Sequence, residues 1–159
     1  MHTPSDNEFQ QIVKNAPLIA IDLLLENPDG EILLGWRTNS PAKNFWFAPG
    51  GRIRKDEDFN KAFERIAKAE TGQAFSLKDA DFWGIYQHLY PNDNFADDPS
   101  YGTHYITIAY KIKLKEKITD LPKDQHSDYW WAPVSDILAN PQVHENTKNY
   151  FNEFPSFSE

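Results

Sequence analysis

Apolar positions along this chain alternate between a helical and a strand-like period, and the switches between the two mark out its elements. Phe9, Ile12 and Val13 recur at helical spacing and predict a short amphipathic helix from Ser5 to Asn15. "LIAIDLLLE" (18–26) then reads as a strand, "NPDGE" as its turn, and "EILLGWR" (31–37) as the returning arm of a hairpin. The loop "TNSPAKN" leads to a short strand "FWFA" and a tight "PGG" turn. A helix follows, with Asp56 or Asp58 placed to cap its start and Gly72 to stop it. "DFWGIYQHLY" (81–90) and "THYITIAYKIKL" (103–114) predict two long strands joined by the loop 91–102. "KEKITDLPKDQHSD" reads as a polar loop and "YWWAPV" as a final strand. Ser135 is placed to cap a short helix, and another is expected near Glu145 to Phe151. Strands interleaved with helices predict an α/β fold, a mixed sheet sandwiched between helices.

The helix before Gly72 carries an anomaly. Phe59, Phe63 and Ile66 fall on one stripe, and Glu70 lies in the middle of it, while Lys61, Glu64 and Lys68 take the opposite face. A carboxylate on a buried stripe is costly unless something pairs with it. Either Glu70 reaches solvent at the helix end or it binds a cation. One carboxylate suits one hard metal, Mg²⁺ or alternatively Mn²⁺, whose other ligands come from phosphate oxygens, carbonyls and water.

Charge and composition narrow the partners. The 159 residues read as a single domain, 1–159, long enough to bury a core. A net charge of −8 argues against nucleic acid and against an anionic membrane. Without cysteine there is no disulfide, catalytic thiol or Cys-ligated zinc site. The polar first residues carry no apolar run of signal-peptide length, so a soluble, cytoplasmic protein is expected. The arginines Arg37, Arg52, Arg54 and Arg65 all lie between positions 37 and 65. Their planar forks suit phosphate oxygens, although ordinary surface ion pairs would also account for them.

The stretch from Gly51 resembles the Nudix box, G-x5-E-x7-R-E-U-x-E-E-x-G-U with U aliphatic. Gly51, Glu57, Arg65, Glu70 and Gly72 match. Ile66 and Ala69 stand at two of the glutamates, and Ala67 and Gln73 depart weakly at the aliphatic positions. With "RTNSPAKNFWFAPGGRI", "GIYQHLY", "THYITIAY" and "DQHSDYWW", the chain from about Pro17 to Phe151 is similar to the GDP-mannose mannosyl hydrolases. These are the atypical Nudix branch that cuts the sugar C–O bond rather than the diphosphate.

The resemblance implies a Nudix fold, a homodimer, and hydrolysis of GDP-α-D-mannose, with GDP-glucose as a second candidate, to GDP and the β-sugar. It implies one Mg²⁺ held by Glu70, the carbonyl of Gly50 and the amide of Gln125, and His126 as general base. Arg37 and Arg52 would bind the diphosphate, Tyr105 would assist the leaving group, and Asp22 and His88 would lie near the sugar. Arg65 matches an arginine of the family's site, though it could instead pair with Glu57 to hold the loop–helix corner. Asp22 and His88 sit in strand-like apolar runs, where a satisfied core hydrogen bond is the alternative to a catalytic role. Of the other histidines, His2 and His144 read as tail and surface; His126 reads as part of a polar loop, beside Gln125. Phe9, Trp46, Phe95 and Pro122 are candidate surfaces for the guanine, and the loop 91–102 could reach a neighbouring subunit's site. Two rival readings are a conventional diphosphatase, giving GMP and a sugar 1-phosphate, and a non-catalytic module that binds a nucleotide sugar.

Overall fold

Nine consecutive residues, Leu18–Glu26, form the central strand because they can bury both faces and bond along both edges. The computed structural model describes residues 2–124 and 126–152. In chain order its elements are α1 (Asp6–Asn15), β1 (Leu18–Glu26), β2 (Ile32–Arg37), β3 (Trp46–Phe47), β4 (Gly50–Arg52), α2 (Phe59–Thr71), β5 (Asp81–Tyr90), β6 (Thr103–Lys113), β7 (His126–Ala132), α3 (Val134–Ala139) and α4 (Glu145–Lys148). A single 3-10 turn, Asn149–Phe151, follows α4.

Strand β1 runs parallel to β6 along its whole length, from Leu18 opposite Tyr105 to Glu26 opposite Lys113. On its other edge it turns into β2 and pairs antiparallel with β4, Asp22 facing Gly50. Beyond these, β5 pairs with β6, while β3 and β7 pair with β2. The sheet is therefore mixed, as the alternation of strands and helices predicts.

Side chains on successive strand residues point to opposite faces. Ile21, Leu23 and Leu25 face α2 and are fully buried against its Phe63, Ile66 and Ala67. Burying a side chain of this size contributes about 1.5–3 kcal/mol. The other face of β1 carries Ala20, Asp22 and Leu24, and Leu24 packs there with Ala48, Ala109 and Tyr150. One strand thus divides the molecule into an apolar core and a face that can hold polar groups.

Asp58 caps α2 by accepting from the N–H of Lys61 at 2.9 Å, which settles the choice between it and Asp56. Gly72, at φ 72°, ends the helix as expected. Helix α1 begins with a reciprocal cap between Ser5 and Glu8.

The remaining departures from the sequence reading have local causes. The "PGG" segment is no mere turn: Gly50 and Gly51 enter the sheet as β4, and "FWFA" keeps only Trp46 and Phe47 as strand. Strand β7 starts earlier than expected, at His126, because its first residue bonds in register to Arg37 of β2. It stops at Ala132, since Pro133 has no N–H for the ladder and instead takes the N-cap place of α3. Ser135 consequently lies inside that helix rather than capping it. His144 is half-buried, and its Nδ1 accepts from the N–H of Asn146 at the start of α4.

The corner between β4 and α2 is held by one ion pair. Arg65 Nε donates to Glu57 Oε1 at 2.6 Å, and its Nη2 donates to Glu57 Oε2 and to the Arg52 carbonyl, both at 2.8 Å. The Glu57 side chain is 2% exposed, and its hydrogen bonds from Arg65 hold its carboxyl down at about 2. Arg65→Ala leaves this buried carboxylate without its partner and should cost roughly 1–3 kcal/mol by urea denaturation at pH 7. Because the folded value lies below the unfolded one, the contribution is complete above the ordinary glutamate range and fades as pH falls towards 2. The gap between wild type and variant should close over that same window.

Candidate functional site

Alternation on four adjacent strands brings the polar face of the sheet together. Asp22 of β1 faces Gly50 of β4, and Ala20 faces Arg52 two residues on. Thr107 of β6 lies beside Ala20, and Tyr105, two residues earlier, pairs with His88 of β5. Asp22, Arg37, Gly50, Arg52, His88 and Tyr105 line one cavity of about 80 Å³. Residues spread from position 22 to 105 are thereby gathered at one place.

Asp22 forms the floor. Its Oδ2 accepts from the Tyr150 hydroxyl at 2.5 Å, and that hydroxyl also lies 3.2 Å from His88 Nε2. His88 Nδ1 in turn lies 3.2 Å from Thr107 Oγ1. Burial pushes the Asp22 carboxyl up to about 7, opposed by the Tyr150 hydrogen bond and the charge of Arg37 and reinforced by Glu70. Burial drives His88 the other way, to about 4, so its ring is neutral at pH 7. A Cβ on Gly50 would fall 2.1 Å from Asp22 Oδ1 and 2.6 Å from the Ile21 carbonyl, so this position has no room for a side chain.

The two cavity arginines are aimed by different means. Arg37 Nε donates to the Pro41 carbonyl at 2.9 Å, and its guanidinium lies over Phe47. The loop carrying Pro41 is itself anchored: Ser40 donates to Asp97 at 2.6 Å, and Asp93 accepts from the N–H of Ala42 at 2.9 Å. Buried Asn94 braces the loop 91–102 with four backbone hydrogen bonds, to Ala96, Asp98 (two) and Tyr101. Through Asp93 and Asp97 that loop also bonds the Ser40–Ala42 segment of its own chain. Arg52 lies 4.5 Å from the ring centre of Phe9, which packs against Phe95 at 4.8 Å. Among the four candidate stacking residues, Trp46 is instead wedged between Trp36 and Trp130, and the Pro122 carbonyl accepts from the Tyr129 hydroxyl. Burial raises the Tyr105 phenol above its ordinary range, so it keeps its proton as a donor.

Glu70, His126 and Arg65 stand outside the cavity lining. Arg65 is spent on Glu57, the structural alternative weighed for it from the sequence. Glu70 is 4% exposed near the end of α2, and its Oε2 lies 3.2 Å from His126 Nε2. His126 is not in a polar loop: it is buried at the start of β7. Because the Glu70 carboxylate accepts, Nε2 carries the proton, and Nδ1 is left buried with no partner among the described atoms. Gly35 makes room for the ring, since a Cβ there would sit 2.5 Å from it.

The two halves lie on opposite faces of β1, with Gly50 and Gly51 between them carrying no side chain to either. A Cβ at Gly50 would point at Asp22, and one at Gly51 would meet Ile66 at 3.1 Å. Of the two residues replacing glutamates, Ile66 is buried and Ala69 is exposed. Gln125 lies outside the described residues, and among those described no group of three His, Cys, Asp or Glu side chains converges for a metal. The donors present, a buried carboxylate at Glu70 and the backbone of the Gly50 turn, fit a hard cation that draws most of its ligands from its substrate. Tyr150 and Thr107 escaped the sequence reading. The only signal was that a buried Asp22 must have a partner, and nothing in the sequence said which.

Comparison with known proteins follows the same lines. A model of the NUDIX domain matches residues 16–154. The low-salt glycan biosynthesis protein Agl8 of Haloferax volcanii is 33% identical over 122 residues, covering 77% of this chain and 74% of Agl8. A MutT protein from Methanosarcina mazei superposes with a TM-score of 0.67 at 21% identity, over 86% of this chain and 92% of that one. The NUDIX domain of Shewanella oneidensis NrtR, solved with ADP ribose, gives 0.63 at 18% identity, over 93% and 96%.

The close approach at Gly35 can be tested directly. Gly35→Ala should displace the His126 ring, break its contact with Glu70 and cost about 1–3 kcal/mol as an overpacked site. Thermal unfolding reads the cost, and the His126 ring resonances read the displacement. Unchanged resonances would mean the ring does not rest on Gly35.

Proposed function

The chain belongs to the Nudix family of hydrolases, and on that premise we propose that it hydrolyses GDP-α-D-mannose at the sugar C1–O bond, releasing GDP and β-D-mannose. The observation that carries this reading is the composition of the site. Two arginines, a protonated tyrosine and a buried acid surround one cavity, while the buried face of the adjoining helix offers a single carboxylate, Glu70. With Ile66 and Ala69 in place of glutamates, the helix lacks the acid set suited to attack at phosphorus. The glycan-biosynthesis relative supports an activated sugar as substrate, since glycans are assembled from such donors. GDP-glucose, differing at C2, is the second candidate.

The chemistry needs one base and a stabilised leaving group. Water attacks C1 and its oxygen forms the new bond while its proton passes to His126, the general base that the family resemblance implies. Glu70, 3.2 Å from His126 Nε2, would stabilise the imidazolium that forms. The C1–O bond breaks opposite the incoming water, and its electron pair departs on the diphosphate of GDP. Inversion follows from that opposed geometry. Arg37 and Arg52, which line the cavity, would stabilise this charge. Tyr105 donates a hydrogen bond to the departing oxygen.

A divalent ion such as Mg²⁺, held by Glu70, the Gly50 carbonyl and Gln125, would neutralise diphosphate charge when bound. A leaving group so stabilised needs no carboxylic acid to protonate it, unlike the leaving oxygen of an ordinary inverting glycosidase. One domain, 1–159, would then hold the whole site.

Proton NMR of the sugar anomeric signals, followed from the first minutes with GDP-mannose and Mg²⁺, tests this. β-Mannose appearing with GDP before mutarotation is the expected result. GMP with mannose 1-phosphate would move the cut to the diphosphate, and binding without either product would leave a nucleotide-sugar-binding module. Replacing the base, His126→Gln, should lower kcat by ~10²–10⁴-fold while the protein still binds the nucleotide sugar.

A further inference from the structure

We propose that Tyr150 is a positioning residue of this site: its hydroxyl joins Asp22 to His88 in a one-way chain of hydrogen bonds that fixes which Asp22 oxygen faces the cavity. The inference rests on the reading above, in which Asp22 lies at the sugar end of the cavity.

Proton bookkeeping sets the direction of the chain. A tyrosine hydroxyl has one proton, and here it is donated to Asp22 Oδ2. The same oxygen can then only accept from His88, so Nε2 carries the imidazole proton. His88 Nδ1 is left bare and accepts from the Thr107 hydroxyl. The order is therefore Thr107 to His88 to Tyr150 to Asp22, each group donating to the next. All four side chains belong to buried residues.

Two consequences follow. Both nitrogens of His88 are occupied, so this histidine does not exchange a proton with substrate. It acts through Tyr150, as a neutral donor. Asp22, held by Oδ2, turns Oδ1 towards the space that Gly50 leaves open by having no side chain. A carboxylate so held presents one fixed acceptor to a sugar hydroxyl.

Tyr150 is itself secured from three directions. Its ring meets Tyr86 edge to face at 4.7 Å, its carbonyl accepts from the Trp83 indole at 2.7 Å, and its side chain packs with Leu24, Ala48 and Ala109. The last turn of the described chain is in this way wired to the floor of the cavity. Since Tyr150→Phe keeps the ring and removes only the hydroxyl, it isolates the chain from the packing.

A double-mutant cycle separates positioning from mere structure. Tyr150→Phe should lower kcat for GDP-mannose about tenfold with KM little changed, the effect of losing one buried hydrogen bond to a charged group. In an Asp22→Asn background the same change should cost less than about twofold, because residues acting as one unit are not additive. Equal losses in both backgrounds, or no loss in either, would overturn the proposal. The proton spectrum of the ligand-free wild type at pH 8.5 provides a reading that needs no substrate. It should show the His88 Nε2–H resonance, and Tyr150→Phe should move it upfield. A proton on Nδ1 instead, or a resonance that does not move, also overturns the proposal. If the wild type fails to turn over GDP-mannose, the proposed function falls, and the His88 resonance alone decides the role of Tyr150.

Discussion

A carboxylate buried in the central strand constrains everything around it. Left alone in an apolar interior, an ionised Asp22 would cost several kcal/mol or more, and the chain meets that cost with groups from distant segments. Tyr150 supplies a hydroxyl from the last turn, 128 residues away. Arg37 supplies charge from β2, and its guanidinium is aimed by the Pro41 carbonyl. That carbonyl is held in turn by the loop braced on Asn94. Gly50 supplies only the absence of a side chain. The odd-numbered residues of β1 carry no such burden: Ile21, Leu23 and Leu25 are wholly buried and anchor the strand against α2. Apolar packing and a buried polar cluster thus come from alternate residues of one strand.

The two residues that replace the motif's glutamates differ in physical meaning. Ile66 is 1% exposed and packs under Gly51, so it adds to the core where a glutamate would have added a charge to be neutralised. Ala69 is exposed and merely removes an acid. Both changes bear on Asp22, because the charge of Glu70 already helps to raise its carboxyl. Further carboxylates on α2 would push in the same direction and hold Asp22 more firmly protonated. A charged, hydrogen-bond-accepting Asp22 is better accommodated by one acid on the buried face of the helix than by three.

Local pattern made much of this legible. The strand β1, both ends of α2 and the long strands β5 and β6 follow from periodicity and capping, since each is fixed by residues near in sequence. Asp22, Arg37, Arg52, His88 and Tyr105 were candidates from resemblance, and they line one cavity because they occupy matching positions on paired elements. What escaped was set by contacts between distant parts. Gly50–Gly51 looked like a turn because two glycines are poor strand formers, yet pairing with β1 overrides that preference. His126 looked solvated because its neighbours in sequence are polar, and pairing with Arg37 of β2 buries it. Tyr150 had no signal of its own, since an aromatic near the chain's end is indistinguishable from any other core residue until its hydroxyl is traced.

The two buried histidines show how hydrogen-bond satisfaction divides labour between residues of the same kind. Both are 3% exposed, so burial alone does not separate them. His88 has a partner at each nitrogen, Thr107 and Tyr150, and a ring so saturated can orient its neighbours but has no lone pair left to offer. His126 has a partner at Nε2 only, and its Nδ1 is buried and unmet. An unmet buried nitrogen costs about 1–3 kcal/mol, and His104 Nε2 is left in the same state among the described residues. Gly35 clears the space in which the His126 ring is held. The satisfied ring is the one able to hold an acid still, while His126 is fixed through one nitrogen only.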